Sequence, residues 1–369
     1  MSNYLIVGSG FSGATIAYLI ASQLNEKVTV IDKKDHIAGN SYDYRDKNGI
    51  MIHKYGSHIF HTSSEKVWNF LKQFTDFNTY MHKVLGYIDG IETHIPFNFN
   101  TLYDVFPKTL AKKLEEKLLS KFEFDSKVPI LEFQKQEDDD LKFLANYVYE
   151  KIFLHYTTKQ WGLTPQEVDG AVTARVPVYL SKDNRYFQDK YQGIPLEGYT
   201  KVIEKMLSHK NIELRLKTDY KDVDSSKFDK IFYTGSIDEY FDYELGQLPY
   251  RSVRFKFETY NKPYYQSNAC INYPCNYDFT RIHEYKYYLD DRSDKTVIAK
   301  EYSESFKPGK NERSYPIPRP ENSSLYDKYL DKAQSLKHVY FLGRLGDYRY
   351  YDMDKAILRA LELFEKIFQ

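Results

Sequence analysis

Three glycines near the N-terminus have the spacing of a phosphate-binding turn. Gly8, Gly10 and Gly13 form GxGxxG between a predicted buried strand at 3–8 and a predicted helix. In such a turn the first glycine permits the tight bend, the second lets backbone amides approach a pyrophosphate, and the third lets helix and strand pack closely. Asp32 ends the second predicted strand and is placed to accept hydrogen bonds from an adenosine ribose. The pattern predicts binding of FAD or NAD rather than NADP. The alternative is a βαβ unit whose glycines bind no nucleotide.

The loop after the second strand narrows the choice of dinucleotide. Residues 32–43 read DKKDHIAGNSYD, an acid-rich turn followed by Gly39-Asn40. This order is typical of flavin enzymes with an amine-oxidase-like fold, whereas NAD dehydrogenases usually continue directly into another helix and strand. We therefore expect FAD.

Two histidines stand close together in YGSHIFHT at 55–62, beside glycine and aromatic residues. His58 and His61 could be core histidines with satisfied hydrogen bonds, or they could bind a metal. No further His or Cys lies nearby at ligand spacing. Cys270 and Cys275 form CxxxxC, which matches no common zinc or redox pattern. We expect no metal.

Charge and composition limit the classes of partner. The 369 residues include 52 Lys+Arg and 52 Asp+Glu, so no net charge attracts nucleic acid or an anionic membrane. No apolar run is long enough to span a bilayer, and the N-terminus lacks the basic region of a signal peptide. We expect a cytoplasmic protein. Its 36 Tyr and 24 Phe reflect either ring-stacking sites or AT-rich coding bias.

The elements that must position these residues alternate in type. After the opening βαβ unit, residues 99–165 have helical periodicity, 171–192 look extended, and 250–305 alternate as in an antiparallel sheet. A closing helix at 354–368 has Asp354 as its predicted N-cap. Residues 160–190 are expected to include a lid over the site. Further predicted elements are a helix at 196–211 and strands at 212–220, 230–236 and 338–346.

The chain resembles the prokaryotic UDP-galactopyranose mutases over essentially its whole length. The segments that carry the resemblance keep the family order, and QWG together with GRLxxYRYxDMD is specific to that family. They are GSGFSGA, IDKKDHIAGNSYD, YGSHIFHT, HIPFNFNT, YTTKQWG, RVPV with DNRYF, YQGIPLEGYT, TRIHEYKY, KEYS and GRLGDYRYYDMD.

The resemblance implies a flavin-dependent isomerase without net redox. Such enzymes hold FAD non-covalently, and the reduced flavin is the nucleophile at the anomeric carbon of a UDP-hexopyranose. UDP leaves, the sugar ring opens and recloses as a furanose, and UDP returns. The substrate would be UDP-galactopyranose or a close relative such as UDP-N-acetylgalactopyranose. The product would supply surface polysaccharide. The resemblance also implies an electron donor and a homodimer.

Five catalytic residues follow from the resemblance. Arg175 in ARVPV and Arg281 in TRIHE match arginines that contact the substrate diphosphate, and Arg175 also lies close to the flavin. Paired guanidiniums fit a buried pyrophosphate better than scattered lysines do. His58 and His61 match histidines at the flavin and the sugar, and Tyr350 matches a tyrosine at the diphosphate.

The remaining site residues are carried over in the same way. Tyr156 and Trp161, with Phe153 nearby, match the uridine-binding segment, and Asn272 matches a uracil-contacting asparagine. Tyr186 and Tyr315 match tyrosines at the diphosphate. Arg251 and His82 complete the expected substrate-binding set. The expected cofactor-binding residues are Gly8, Gly10, Ser12, Gly13, Asp32, Gly39, Asn40, Arg344, Tyr350, Asp352 and Met353.

A helix that starts at 352–354 would direct its positive end toward the pyrimidine ring of a reduced flavin. Four residues depart from the family pattern. Ser57 stands where Pro or Ala is usual, Ala38 replaces a glycine, His82 replaces a common asparagine, and Tyr285 replaces a common histidine. Ser57 and His82 could alter which sugar is accepted.

The predicted fold is α/β, with an FAD-binding Rossmann-like domain, a helical insertion domain and an antiparallel sheet domain that binds substrate. The FAD domain would comprise 1–80, 196–240 and 335–369, the helical domain 99–165, and the sheet domain 81–98, 166–195 and 241–334. Two other functions stay open. One is an amine-oxidase-like FAD oxidoreductase, and the other is a non-catalytic nucleotide sensor.

Overall fold

The computed structural model describes residues 2–168, 176–317 and 319–369. Its first layer, the parallel sheet, has five strands, and every neighbouring pair is parallel. The predicted opening βαβ unit lies at its centre. In spatial order the strands are Ile212–Leu216, Lys27–Asp32, Asn3–Val7, Lys230–Tyr233 and Val339–Phe341.

Alternate side chains of the parallel sheet enter two cores, because successive residues of a strand point to opposite faces. Ile6 and Val30 belong to one buried cluster, and Leu5 and Ile31 belong to another. Both faces are therefore covered, as expected for parallel strands. The helices that contribute to the first cluster are Phe11–Gln23, Glu65–Leu71, Tyr199–Leu207 and Met353–Phe368; Ile237–Tyr240 and Pro320–Ala333 contribute to the second.

A second layer, the mixed sheet, has seven strands. It is antiparallel as predicted except for one parallel pair, between Cys270–Asn272 and Val84–Ile88. Within the alternating region at 250–305, the strand Arg281–Glu284 is short because a helix at Lys286–Leu289 follows it. In spatial order the strands are Tyr315–Pro316, Tyr250–Tyr260, Thr296–Ser305, Arg281–Glu284, Cys270–Asn272, Val84–Ile88 and Ile91–Ile95.

The predicted helical region between 99 and 165 forms its own buried cluster against the mixed sheet. Its last helical segment contains one wider, π-helical turn at Tyr149–Leu154, between Asp139–Val148 and His155–Trp161. Such turns are rare and are often found at functional sites. The other helices of the region are Phe99–Val105, Lys108–Lys121 and Ile130–Phe133.

The shorter elements connect the layers. Three small antiparallel pairs join Asp43–Arg45 with Met51–His53, Phe60–Thr62 with Tyr191–Gly193, and Lys127–Val128 with Val178–Tyr179. Single turns of 3-10 helix occur at Gly39–Ser41, Tyr220–Asp222 and Ser225–Lys227, and one short helix at Gly343–Gly346. No helix among the described residues could cross a membrane.

The closing helix has a different cap from the one predicted. Asp352, not Asp354, occupies the N-cap position, and the helix is Met353–Phe368. Asp352 has the extended backbone that an N-cap requires, with φ −86° and ψ 177°. Asp354 lies within the first turn, where its carboxylate accepts a hydrogen bond from the Thr62 hydroxyl at 3.1 Å. Its other oxygen accepts a hydrogen bond from the Lys355 amide at 2.7 Å, so Asp354 satisfies a first-turn amide from inside the helix.

Candidate active site

Two cavities of about 550 and 540 Å³ adjoin each other between the two layers. The glycine-loop cavity lies at the carboxyl ends of the parallel strands, and the sheet cavity lies against the mixed sheet. Binding at the carboxyl ends of parallel strands is the general rule for open α/β sheets. Both cavities share part of their walls, so two bound molecules would touch there. The shared residues are Asn40, His58, Glu312, Arg344, Asp352 and Met353.

The three motif glycines fill distinct steric roles in the glycine-loop cavity. Gly8 has φ +103°, and a Cβ there would lie 2.0 Å from the Thr234 hydroxyl oxygen. A Cβ on Gly13 would lie 1.9 Å from the Gly8 carbonyl oxygen. Gly10 has room toward the protein, with Gly39 Cα at 3.9 Å. The first and third glycines therefore serve the fold, while the second keeps the cavity open beside the helix start.

Asp32 lines this cavity with much of its hydrogen-bonding capacity already used. Its Oδ2 accepts from the Ser9 amide at 2.8 Å and the Ser9 hydroxyl at 2.6 Å. Its Oδ1 accepts from the Lys34 amide at 2.9 Å. One acceptor position on Oδ1 is thus left for a ribose hydroxyl, because each carboxylate oxygen accepts about two hydrogen bonds.

The far end of the glycine-loop cavity is aromatic, which the sequence motifs do not indicate. Tyr220 stacks on Tyr240 with ring centroids 5.5 Å apart and meets Tyr233 edge-on at 5.4 Å. These rings line the cavity beside Thr218. Tyr233 ends one parallel strand, while Tyr220 and Tyr240 lie in segments that follow two of them, so the strand order is the signal that could have indicated these rings. An adenine ring would suit such a surface.

The end of this cavity nearest the sheet cavity contains the remaining cofactor candidates. Arg344 donates to the Tyr351 carbonyl at 3.0 Å and to the Ser314 carbonyl at 3.2 Å. Asp352 and Met353 start the closing helix at this point, as the sequence predicts. The other candidates that line the cavity are Gly8, Gly10, Ser12, Gly13, Asp32, Gly39 and Asn40; Tyr350 lines the sheet cavity instead.

Ala38 shows what one departure from the family pattern costs. It is buried and left-handed, with φ 72° and ψ 1°. A glycine adopts this conformation freely, whereas for alanine it costs about 1 kcal/mol. The loop geometry is preserved because the Ala38 amide donates to the Ser9 carbonyl at 3.1 Å.

These features fit a dinucleotide in the glycine-loop cavity. A helix N-terminus without a capping side chain at Gly10 can receive phosphates, an acceptor remains at Asp32, and aromatic rings lie at the far end. The opposite end reaches the sheet cavity, so a flavin ring could touch a second ligand there. The described residues contain no cluster of three acidic, His or Cys side chains that could bind a metal.

His58 lines both cavities as a neutral imidazole. Burial, helped by His53 and Arg344, lowers the pKa of His58 to about 3. Its Nδ1 lies 2.7 Å from the Gly56 carbonyl, so Nδ1 carries the proton and Nε2 is an acceptor.

His61 is oriented by an acidic partner. Its Nδ1 lies 2.9 Å from Asp189 Oδ2, and its ring stacks on Phe187 with centroids 3.6 Å apart. The hydrogen bond from His61 lowers the pKa of Asp189 to about 2. Phe187 also stacks on His82, whose pKa is lowered to about 3 by burial. Both histidines line the sheet cavity.

Arg281 lies on the floor of the sheet cavity and is held by a buried carboxylate. Its Nε donates to Glu301 Oε2 at 2.8 Å, and His283 Nε2 lies 2.9 Å from the same oxygen. Burial would raise the pKa of Glu301, but Arg281 and His283 lower it to about 2. The guanidinium therefore keeps its charge and lines the sheet cavity, where a ligand can reach it. Sequence reasoning identified neither Glu301 nor His283 as a site residue.

Three aromatic side chains form one wall of the sheet cavity. Trp161, Tyr315 and Tyr350 meet pairwise with ring centroids 5.1 to 5.4 Å apart. The Tyr315 hydroxyl is buried without a hydrogen bond among the described residues, and Gln160 lies close to it. A ligand oxygen could supply that bond.

The other substrate candidates divide into those that line the sheet cavity and those that do not. Phe153, Tyr156, Tyr186 and Asn272 all line it. Arg251 lines neither cavity. Its guanidinium donates to the Gln160 carbonyl at 2.8 Å and the Lys159 carbonyl at 3.2 Å, where it supports the end of helix His155–Trp161. Arg175 and the neighbouring residues of the predicted lid, 169–175, lie outside the described residues.

Comparison with known proteins agrees with this geometry. The family model described as UDP-galactopyranose mutase matches residues 151–350, and a model of an NAD(P)-binding Rossmann-like domain matches residues 6–74. The chain belongs to the UDP-galactopyranose mutase family. It is therefore an isomerase-family enzyme with a flavin-type Rossmann fold, and the redox alternative is disfavoured.

Relatives match the chain from end to end. A probable UDP-galactopyranose mutase of Klebsiella pneumoniae is 40% identical and covers 98% of this chain and 93% of its own. A dTDP-fucopyranose mutase of Escherichia coli is 37% identical over 98% of this chain and 97% of its own. The relatives thus differ in both nucleotide and sugar.

Solved structures agree on the fold. A crystal structure of reduced UDP-galactopyranose mutase matches with a TM-score of 0.72 at 15% identity and covers 100% of this chain and 95% of its own. A putrescine oxidase matches with a TM-score of 0.59 at 8% identity, covering 99% and 98%. The predicted α/β fold with a Rossmann-like domain is confirmed.

Proposed function

We propose that this chain is an FAD-dependent mutase that interconverts UDP-galactopyranose, or a close UDP-hexopyranose such as UDP-N-acetylgalactopyranose, with its furanose form. The observation that supports this most is the shared wall of the two cavities at His58, Arg344 and Asp352. A flavin ring in one cavity would there meet a sugar in the other. The reaction involves no net redox, and its product would supply surface polysaccharide.

Reduced FAD would supply an electron-rich nitrogen for attack on the anomeric carbon. The protein's own groups would manage the charge that moves onto the diphosphate as UDP leaves. Arg281 is suited to this because Glu301 holds its Nε and its guanidinium lines the sheet cavity, where it would donate to phosphate oxygens. Tyr315 and Tyr350 would add hydroxyl donors to the same group.

Departing UDP must also stay bound, because it has to return to the sugar. Tyr156 and Asn272 in the sheet cavity would keep the uridine in place while the anomeric carbon is free of it. The aromatic wall of Trp161 would exclude water meanwhile. His58 would present Nε2 as an acceptor to the sugar or the flavin without adding positive charge, since its pKa is about 3.

One experiment tests the reaction directly. The FAD-loaded protein is reduced, and UDP-galactopyranose, UDP-N-acetylgalactopyranose and dTDP-fucopyranose are added one at a time. We expect furanose products by chromatography with a UDP sugar and none with oxidised protein. Turnover by oxidised protein, or consumption of oxygen with an amine, would contradict the mutase and favour the oxidoreductase. Arg281→Met should abolish most turnover, whereas Arg215→Met on the exposed edge strand should not.

We also propose a homodimer, a cytoplasmic location and a separate electron donor for the flavin. Sedimentation of the purified protein measures the first. A species that sediments as a monomer at micromolar concentration would contradict it.

A further inference from the structure

Ser57 departs from the family pattern and lies at the end of a chain of buried hydrogen bonds. Its hydroxyl lies 2.7 Å from His283 Nδ1 and 2.6 Å from the Tyr288 hydroxyl. His283 in turn contacts Glu301 at 2.9 Å. Ser57 is partly exposed and lines the sheet cavity together with His58 and His61, so a ligand can reach it.

The donor and the acceptor of each hydrogen bond in this buried series can be assigned. Glu301 is ionised, since its pKa is about 2, and it can only accept. His283 Nε2 must therefore carry a proton. Burial lowers the pKa of His283, so the ring is neutral and Nδ1 is an acceptor.

Ser57 is left with a single type of bond to offer. Its one proton points to His283 Nδ1, because that nitrogen needs a donor. Tyr288 must then donate to Ser57 rather than accept from it. With its proton and one lone pair engaged, the Ser57 oxygen can offer a ligand only an acceptor.

From this geometry we infer that Ser57 is a specificity-determining residue whose oxygen accepts a hydrogen bond from one hydroxyl or amide group of the bound hexose. A sugar that lacks a donor at that position would leave the second lone pair of the Ser57 oxygen without a hydrogen bond. The inference rests on the proposed function, because it requires a nucleotide sugar in the sheet cavity. Proline or alanine at this position could not make the bond.

The test is a binding cycle on the oxidised, FAD-loaded protein. Calorimetry would measure Kd for UDP-galactopyranose and for its analogues with fluorine in place of the hydroxyl at the 2, 3, 4 or 6 position. Fluorine keeps the size but cannot donate. We expect one analogue to bind the native protein about tenfold more weakly than the parent sugar. Ser57→Ala should bind that analogue and the parent alike.

Ser57→Cys, whose sulfur is a weak acceptor, gives a second measurement of the same coupling should the alanine variant fold poorly. Ser120→Ala on an exposed helix face is the matched control and should keep the native pattern. Equal losses in native and Ser57→Ala proteins at every position would overturn the inference, as would native binding that ignores all four fluorines. Binding with the expected pattern but without furanose formation would contradict only the proposed function.

Discussion

Glu301 is a carboxylate that burial alone would neutralise and that two neighbours keep ionised. It is 2% exposed and accepts from both Arg281 and His283. Its pKa of about 2, against an ordinary value near 4.5, means that the folded state binds the proton less readily than the unfolded chain. Its contribution to stability is therefore present above about pH 4.5 and is lost as the pH falls toward 2.

Glu301→Gln should lower the free energy of unfolding by about 2 kcal/mol at pH 7, because the partly buried Arg281 loses its ionised partner and the buried His283 loses a charged acceptor. Urea denaturation at pH 7 and at pH 3 measures this. The difference from the native protein should shrink at pH 3, since the native carboxylate contributes less there.

Glu304→Gln is the matched control. Glu304 lines the same cavity but is partly exposed and accepts from the Asn311 side chain at 3.0 Å. It should change the stability by less than about 1 kcal/mol. An equal effect of the two substitutions, or a difference for Glu301→Gln that does not depend on pH, would contradict the ionised state of Glu301.

At the scale of elements, two glycines at the start of helix Phe11–Gln23 have different roles, one in folding and the other in ligand binding. Gly13→Ala should destabilise the protein by about 3 kcal/mol, because its Cβ would lie 1.9 Å from the Gly8 carbonyl. Gly10→Ala meets nothing closer than 3.9 Å and should cost less than about 1 kcal/mol without cofactor.

The glycine-loop cavity is where Gly10→Ala should act. We expect FAD affinity to fall at least about tenfold, because the methyl group occupies the approach to the helix amides. Fluorescence titration with FAD measures this, and thermal denaturation of the apoprotein provides the comparison. Normal FAD affinity in Gly10→Ala would contradict the placement of the pyrophosphate.

A second contact at the scale of elements joins helix His155–Trp161, which bears the predicted uridine-binding residues, to the loop after Asn272. Lys159 Nζ donates to the carbonyls of Tyr273, Tyr277 and Phe279. Burial lowers the pKa of Lys159 to about 8. The three hydrogen bonds make Lys159 a clamp, in the sense that it ties together the two parts of the sheet-cavity wall that bear Tyr156 and Asn272.

Lys159→Ala should weaken UDP binding about tenfold and leave FAD binding unchanged, since the loop loses its common donor. Calorimetry with UDP and fluorescence titration with FAD separate the two. Lys151→Ala on the same helical segment, where Nζ forms an exposed ion pair with Asp89 at 3.0 Å, is the control. Equal effects of both variants on UDP binding would argue against a clamp.

At the scale of the whole molecule, the shared wall predicts that the two ligands influence each other. A flavin bound in the glycine-loop cavity would become part of the sheet cavity near His58 and Asp352. UDP-galactopyranose should therefore bind the FAD-loaded protein more tightly than the apoprotein, by about tenfold. UDP alone should show little difference, because it lacks the sugar. Calorimetry on both forms tests this, and equal sugar-nucleotide affinities would contradict it.

How far the sequence predicts this molecule depends on how local each signal is. The opening strand, the turn at Gly8 and the close packing at Gly13 are predicted correctly because strand, turn and helix follow one another within a few residues. The alternation at 250–305 likewise predicts the long antiparallel strands.

Features that depend on distant contacts are the ones missed. Asp354 lies in the first turn of its helix and accepts from Thr62, which is distant in sequence, while Asp352 is the N-cap. The aromatic end formed by Tyr220 and Tyr240 arises only when the segments that follow strands Ile212–Leu216 and Lys230–Tyr233, which are not neighbours in the sheet, meet beyond its edge. The contact of Arg251 with Gln160, at the end of helix His155–Trp161, was likewise not indicated by any sequence pattern. Each is a tertiary contact without a short motif.

The wider turn at Tyr149–Leu154 sets the direction in which every side chain of the following helix, His155–Trp161, points. In a regular α-helix each residue advances about 100° around the axis, so removing one residue would turn Tyr156 and Trp161 by roughly that angle. The helix would still form, but its rings would face away from the cavity. Substitutions within His155–Trp161 therefore change this wall one side chain at a time, whereas deletion of one residue before it would reorient all of its side chains at once.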